Sequence, residues 1–488
     1  MRAKDAGRQL RLGLVEKRHF ASGTSGRNSQ LLHGGLRYLK NFEFSLVKEA
    51  LKERATLLRI APHLAESVPF LIPFYGLLDK PFYGAGLVLY DYLAGEENIG
   101  HRAFLSRDEV ETLEPGLARE GLKSGGVYFD AKVNSARLVL ENLFDAARDG
   151  AWPANYVEAL EWKRDGDLFR VRLHEQFSGA EFEVYARRVV DARGPWDTTA
   201  NMRLVRGSHL IFPKLTASDH AIAYFHTDGR IFFVIPWGPN NTRSLVGTTE
   251  ADHEGTADEA SISLEEKRYM VSIVEHLFPQ AKGIEPIGAY SALRPLVKSD
   301  QESATKTSRE HRIFEDADGV VRITGGKYTT YRSMSDEAAN LIWPEFAGKC
   351  RTAELALGGN SATAYGEEKV RIDERAARMG LFRSDVAHLT SLFGVQAGAV
   401  LERCPREGES NERTLTAILS WCLDHEMVER MPDFLFVSTY LGHEQRWTSE
   451  DLASLATDMG AQLGWAAERQ REEVLLTERL LNRGADLG

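Results

Sequence analysis

RLGLVEKRHFASGTSGRNSQLLHGGLRYL (11–39) decides how the rest of the chain is read. RLGLVE (11–16) is an apolar run that predicts a buried strand ending in an acid, Glu16. The polar, glycine-dotted ASGTSGRNS follows at once. A strand of this kind typically comes second in a dinucleotide-binding unit, where the terminal acid accepts hydrogen bonds from ribose hydroxyls. Ala21, Ser22, Gly23, Thr24, Ser25 and Gly26 are small or hydroxylated, which lets backbone amides approach phosphate or ribityl oxygens. His33, Gly34, Gly35 and Arg37 then set an imidazole and a guanidinium one turn apart. Alone, His33 would read as a satisfied core histidine and Arg37 as a surface ion pair. Their adjacency to a glycine pair favours a site.

Outward from this stretch, composition sets bounds. The 488 residues suffice for two or three domains. Hydrophobic residues make up 43% and charged residues 27%, ordinary for a soluble globular protein. The formal net charge of −11 argues against a nucleic-acid binder, yet leaves room for a small basic pocket that takes an anion. The three cysteines, Cys350, Cys404 and Cys422, show no zinc-like spacing; they suit a reducing compartment, and no metal site is expected. The first residues are charged and lack the apolar segment of a signal peptide. No run approaches the ~18 apolar residues of a spanning helix. The most apolar region, SVPFLIPFYGLLDKPFYGAGLVLYDYLAG (67–95), predicts a buried strand followed by a loop, broken by prolines and by Asp79–Lys80. A second reading is a surface that docks on a bilayer without crossing it.

Periodicity supplies the other elements. Residues 43–64 predict a helix that buries Leu46, Val47, Ala50, Leu51, Ala55, Leu57 and Leu58 with its charges opposite. Residues 134–150 predict a second, capped by Asn134 and ended by Gly150. Residues 153–195 read as strands, with an Asp-Gly hairpin in EALEWKRDGDLFRVRL, and 205–250 is again β-rich. SLEEKRYMVSIVEHLFP (263–279) is a helix with a Ser263/Glu266 capping box. After about residue 350 helices and polar loops take over, which marks a separate helical domain.

Four further motifs carry chemistry. VVDARGPW (189–196) is a strand running into a turn at Gly194, where backbone can approach a pyrophosphate. ITGGKYTTYR (323–332) puts Gly325 and Gly326 before a helix whose first amides stabilise negative charge, with Lys327 adding a full positive charge. Its alternative reading is a structural turn with an exposed lysine. YSALRPLV (290–297) offers Arg294 near a strand end, and RGSHLIFP (206–213) offers His209.

At these motifs the chain resembles the FAD-dependent glycerol-3-phosphate dehydrogenases, within the D-amino-acid-oxidase-like flavoproteins. The matching stretches run in family order over roughly residues 10–340. They include LVEKRHFASGTSGRNSQLLHGGLRYL, GGVYFDAKVNSARLVLENL (125–143), LVGTTEADHEG (245–255) and ITGGKYTTYR. The tail is similar to the family's C-terminal cap, best at DHEMVERMPDFL (424–435). The resemblance implies a mixed α/β fold: a discontinuous Rossmann-like FAD-binding domain (about 1–66, 125–200 and 285–345), an inserted antiparallel-sheet substrate domain (about 67–124 and 201–284) and a helical cap (350–488). It implies oxidation of sn-glycerol 3-phosphate at C2 to dihydroxyacetone phosphate, with electrons passing to FAD and then to a membrane quinone. It also implies a cytoplasmic protein, peripheral at the inner membrane, often a homodimer. Carried over by motif, His33 or His209 is the base, and Arg294 and Lys327 complete the catalytic group. Arg37, Arg294, Lys327 and Thr249 bind substrate. Glu16, Ala21, Ser22, Thr24, Ser25, Ser29, Gly194, Gly325, Gly326, Lys327, Tyr328 and Thr329 bind FAD.

The family pattern places a strand and a GxGxxG loop ahead of RLGLVE. KDAGRQLRLGLVE resembles only the end of the helix after that loop, so the first strand and the loop are expected to be missing from this sequence. Their loss would leave strand edges unpaired and remove the amides that hold the pyrophosphate. Gln30 stands where the family usually has Lys, and Asp191 and Arg193 where Asn and a small residue are usual. Two alternatives stand beside the dehydrogenase: an oxidase that passes electrons to oxygen, and a non-catalytic truncated homologue unable to hold FAD.

Overall fold

A computed structural model describes residues 10–76, 78–197, 202–297, 311–346, 348 and 350–482. The chain opens with β1 (Leu12–Glu16), β2 (Leu31–Leu32), α1 (Phe44–Ile60), β3 (Ala65–Phe74) and α2 (Asp79–Ala94). β4 (Ala103–Ser106), α3 (Arg107–Leu113), β5 (Ser124–Val133) and α4 (Ser135–Arg148) follow. Next come β6 (Ala151–Asn155), β7 (Val157–Asp165), β8 (Leu168–Glu175), β9 (Glu181–Ala186) and β10 (Val190–Asp191). A β-rich stretch holds β11 (Met202–Pro213), β12 (Ala221–Phe225), β13 (Ile231–Trp237), β14 (Arg243–Gly247) and β15 (Ala251–Asp252). After α5 (Leu264–Leu277) come β16 (Gly288–Val297), β17 (Arg312–Glu315), β18 (Val321–Thr324) and α6 (Tyr331–Ile342).

Among the described residues, ten strands form one large sheet in the order β15-β11-β14-β13-β12-β3-β5-β2, with β16 beside β11 and β4 beside β5. Side chains on these strands alternate between two cores, as a period of two requires. Phe70, Ile72, Ile211, Ile235 and Leu245 enter one core, which also holds Val47 and Leu51 of α1 and Leu87 and Tyr90 of α2. Their neighbours Leu71, Leu210, Phe212, Val234 and Val246 enter the other, under Val110 of α3 and Met270 and Ile273 of α5. The sheet is thus covered on both faces, and one cover includes the glycine-rich 17–35 stretch.

Smaller sheets complete this region. β1 pairs in parallel with β6, and β10 in parallel with β18, which pairs antiparallel with β17. β7, β8 and β9 form a meander around the expected Asp165–Gly166 turn. Asn134 and Ser263 cap α4 and α5 as their sequences predict.

Three expectations need correction. β1 was expected to be buried, yet Leu12, Leu14 and Val15 are exposed, because β6 is its one partner among the described residues. The segment after β3 is not a loop but α2, since Pro81 falls in a first turn, where no backbone N–H is needed. The charges of α1 do not all face solvent: Glu53 and Arg54 are buried. Arg332 of α6 chelates Glu53 at 2.8 and 2.5 Å, and Arg54 reaches Asp130 of β5 at 2.7 Å. Each buried charge has its opposite in contact, which is the condition for tolerating it.

Beyond residue 350 the described chain is helical. α7 (Ala362–Arg378), α8 (Arg383–Phe393), α9 (Ala397–Leu401) and α10 (Ser410–His425) share a core with α12 (Ser449–Leu463), which α13 (Ala467–Asn482) follows; α11 (Leu441–Glu444) precedes α12. This bundle is bolted to the rest by polar side chains. Arg137 of α4 is paired with Glu426, and Tyr156 donates to Asp433 at 2.6 Å. Tyr440 donates to the carbonyl of Gly26 at 2.6 Å.

Candidate active site

A cavity of about 1010 Å³ opens on the face of the large sheet that α1 and α2 share. Its walls come from the end of β1, the 17–35 stretch, α4, the turn after β10, β16 and the Gly-Gly turn after β18. Phe70, Tyr128, Ala223, Phe225 and Phe233 of the sheet supply an apolar floor.

Glu16 sits at the cavity edge at the end of β1, accepting the Arg18 amide at 3.1 Å; burial raises its pKa from the ordinary carboxylate value. The loop beyond it is held from several sides. Thr24 donates to the Leu293 carbonyl at 2.7 Å, and Tyr290 to the Asn28 carbonyl at 2.7 Å. Ser29 Oγ lies 2.9 Å from His209 Nε2. Ala21, Ser22, Thr24, Ser25 and Ser29 all line the cavity.

The two glycine pairs face each other across a shared contact. The His33 amide donates to Thr329 Oγ1 at 3.3 Å. Gly35 takes φ 81° and Gly326 φ 100°, conformations that strain any residue with a side chain, and a Cβ on Gly326 would also lie 2.5 Å from the Met334 methyl, which would have to move. Lys327 follows, with Nζ 3.8 Å above the centre of the Tyr38 ring. Tyr328 donates to the Ser135 carbonyl at 2.6 Å. A short 3-10 turn, Tyr328–Thr330, separates this lysine from α6, so the helix begins later than the motif suggests.

Arg294 projects from β16 into the cavity, its guanidinium 3.1 Å from Thr248 Oγ1 and 3.4 Å from both the Thr249 carbonyl and Glu250. The cavity therefore gathers His33, Arg294, Lys327, Glu16, Gly194, Gly325, Gly326, Tyr328 and Thr329. Arg37 lies on the turn after the glycine pair; its side chain is outside the described residues.

Two expected residues do not line the cavity. Thr249 is buried; its hydroxyl donates to Glu266 at 2.6 Å and accepts the Ser208 amide at 2.9 Å, and the wall position belongs to Thr248. His209 is buried behind Ser29, and burial, then the Arg294 charge, hold its pKa down to about 3. Its Nε2 is linked to the cavity wall through Ser29.

Sequence reasoning missed a buried group behind His33. Asp130 lines the cavity and accepts from Arg54 at 2.7 Å and from Tyr90 at 2.7 and 2.9 Å. Tyr90 in turn accepts the Gly34 amide at 2.8 Å. The signal was an acid at an inward position of the apolar strand GGVYFDAKV (125–133).

Residues 3–330 match the family model described as FAD dependent oxidoreductase, and residues 350–470 match the C-terminal domain of alpha-glycerophosphate oxidase. The chain is 33% identical to a glycerol-3-phosphate dehydrogenase of Mycobacterium leprae, over 81% of this chain and 70% of that one. It is 30% identical to the mitochondrial glycerol-3-phosphate dehydrogenase of Bos taurus, over 97% and 70%. The glycerol-3-phosphate dehydrogenase of Bacillus halodurans, solved with FAD, superposes with a TM-score of 0.79 at 24% identity, covering 99% of this chain and 92% of that one. The expected fold class, a mixed α/β FAD-binding region with a helical C-terminal part, is the one observed. The chain belongs to the FAD-dependent oxidoreductases, in the family of the FAD-dependent glycerol-3-phosphate dehydrogenases.

Proposed function

We propose that this chain oxidises sn-glycerol 3-phosphate at C2 to dihydroxyacetone phosphate, with FAD as the hydride acceptor and a membrane quinone as the onward acceptor. One observation carries the reading: His33, Arg294 and Lys327 line the same cavity as Glu16 and the 21–29 loop. Cations for a phosphate, an imidazole for a hydroxyl proton and a cofactor cradle stand together.

The residues present fit FAD. Glu16 supplies a carboxylate for ribose hydroxyls at one end of the cavity. At Gly194, φ 56°, an added Cβ would meet no neighbouring atom, so its wall position is open to a ligand. Gly326, whose φ of 100° favours glycine, keeps backbone at the cavity surface. The aromatic floor suits a flat ring system. Bound FAD supplies a two-electron acceptor for hydrogen leaving C2 of the substrate.

The chain's own residues do the rest. Arg294 and Lys327 neutralise a phosphate monoester that carries close to two charges, and Arg37 joins them by its motif. Lys327 and the backbone of the 325–327 turn hold negative charge at the cofactor end. His33 takes the hydroxyl proton. His209, kept neutral by burial, orients Ser29. The division of labour follows the discontinuous segments: about 1–66, 125–200 and 285–345 hold cofactor, about 67–124 and 201–284 hold substrate, and 350–488 form a cap.

Membrane contact is supported by α2. Its outer face leaves Phe82 58%, Val88 45% and Tyr92 80% exposed, beside Leu78 at 77%. Among the described residues no helix is long and apolar enough to cross a membrane. The proposed placement, with α2 against the lipid, is on the cytoplasmic side of the inner membrane, as the family resemblance implies.

A second reading, oxygen as acceptor, is favoured by the match of residues 350–470 to an oxidase domain. Anaerobic glycerol 3-phosphate is expected to bleach the flavin absorbance of the purified protein; coloured protein left unbleached overturns the substrate. Re-oxidation by a soluble quinone with little hydrogen peroxide supports the dehydrogenase. Stoichiometric peroxide without quinone reduction transfers the assignment to the oxidase.

A further inference from the structure

Tyr440 lies far from the cofactor loop in sequence and against it in space. It stands between a π-helical turn, Phe434–Ser438, and α11, on a left-handed backbone with φ 62°. A non-glycine residue pays for that conformation, so it persists only where the surroundings hold it. Here they do. The ring is 1% exposed and packs edge-on against Trp237 at 5.7 Å.

The hydroxyl reaches across to two walls of the cavity at once. It donates to the Gly26 carbonyl at 2.6 Å and accepts from Gln30 Nε2 at 3.0 Å, both in the 21–30 loop. It also meets the first turn of α4, accepting the Ala136 amide at 3.2 Å and lying 3.2 Å from Ser135 Oγ. Gln30 finishes the joint: its Nε2 also donates to Gly26, and its Oε1 accepts the Ser135 amide at 2.9 Å. Two amides of the α4 N-terminus, which have no partner inside their own helix, are thereby satisfied by the loop and the phenol. On its other side the loop lines the cavity with Ser25, Asn28 and Ser29, and α4 lines it with Leu138, Asn142 and Leu143.

We infer that Tyr440 is a positioning residue: the C-terminal helical region, through this one phenol and its partner Gln30, fixes the spacing between the cofactor loop and α4 and so sets the affinity for FAD. Tyr440 does not line the cavity, so its influence passes through the two walls it joins. The inference rests on the proposed residue assignment, in which the 21–29 loop cradles FAD.

The test compares three full-length proteins freed of flavin and titrated with FAD, with bound flavin read by fluorescence and by the shape of its visible spectrum. Tyr440→Phe keeps the ring and removes the hydroxyl; its FAD dissociation constant is expected to rise about tenfold, the scale of one lost buried hydrogen bond. Gln30→Ala is expected to weaken FAD as well, and the double variant to lose less than the two single losses combined, because both act on one joint. Trp237→Phe, on the far side of the same ring, should lower the melting temperature and leave the FAD dissociation constant within about twofold. Equal FAD affinity in Tyr440→Phe and wild type, whatever the melting temperature does, overturns the positioning role. Wild-type protein that takes up no FAD overturns the cavity assignment beneath it.

Discussion

His33 and Thr249 sit in motifs of equal appearance, and only one of them faces the cavity. Replacing His33 by Asn is expected to slow flavin reduction by glycerol 3-phosphate about 100-fold or more, the usual worth of a positioned base. Thr249→Val removes the donor to Glu266 and the acceptor for Ser208; it is expected to cost about 1–3 kcal/mol of stability with the KM nearly unmoved. Stopped-flow reduction and thermal melts on both variants separate the roles, and a reversed pattern would exchange them. At this scale the cavity residues were legible where a basic side chain neighbours glycine, as at His33 and Lys327, or stands as a lone charge in an apolar strand, as Arg294 does in YSALRPLV. It was silent about Asp130, Arg54 and Tyr90, because each looks like an ordinary strand or helix residue until folding brings residues 40 to 96 positions apart together. GTTE holds two adjacent threonines, and the sequence alone does not say which one lines the cavity; Thr248 does, while Thr249 is tied inward to Ser208 and Glu266.

Helix α2 shows what periodicity alone leaves open. Its apolar content was plain, but Pro81, Gly84 and Gly86 lower helix propensity, and burial on one face with exposed Phe82, Val88 and Tyr92 on the other blurs the usual polar contrast. Packing decided the matter: a Cβ on Gly84 would sit 3.2 Å from the Phe104 ring, a tight seat that a larger residue would crowd. Substituting Phe82 and Tyr92 together with Glu is expected to abolish co-sedimentation with anionic phospholipid vesicles, since each exposed aromatic is worth about 1.5–3 kcal/mol on burial. Flavin reduction in solution should stay within about twofold of wild type. Vesicle binding that survives the double substitution places the membrane face elsewhere.

Across the whole molecule the buried titratable groups set how stability follows pH. His63, His209 and His443 are each held down to about 3, by burial first and then by the charges of Arg137, Arg294 and Arg27, and burial holds His388 at about 4. The unfolded chain binds a proton at each below about 6.5 and the folded chain does not, so stability is lost as pH falls from there. Glu444, pushed up to about 8 by burial, works the other way: it stays protonated when folded and ionises when unfolded, so its share is lost as pH rises from 4.5 to 8. The four histidines give a loss on the acid side, at most about 1.4 kcal/mol per pH unit for each; carboxylates raised by burial, Glu16, Asp130 and Glu141 among them, oppose it as Glu444 does. Calorimetry is expected to show the melting temperature dropping steeply between about pH 6.5 and pH 5; a flat profile there contradicts the burial assigned to these imidazoles. The joint at Tyr440 has a consequence of another kind, in the order of manufacture. Its hydroxyl and the Gly26 carbonyl are 414 residues apart. At about 5–20 residues per second, a ribosome that has released residue 26 needs roughly 20–80 s more to reach residue 440. Ties to His209, Tyr290 and Leu293 can form within that interval, but the tie to α4 through the phenol cannot, so under the proposed positioning role full flavin affinity waits for a chain that has reached Tyr440.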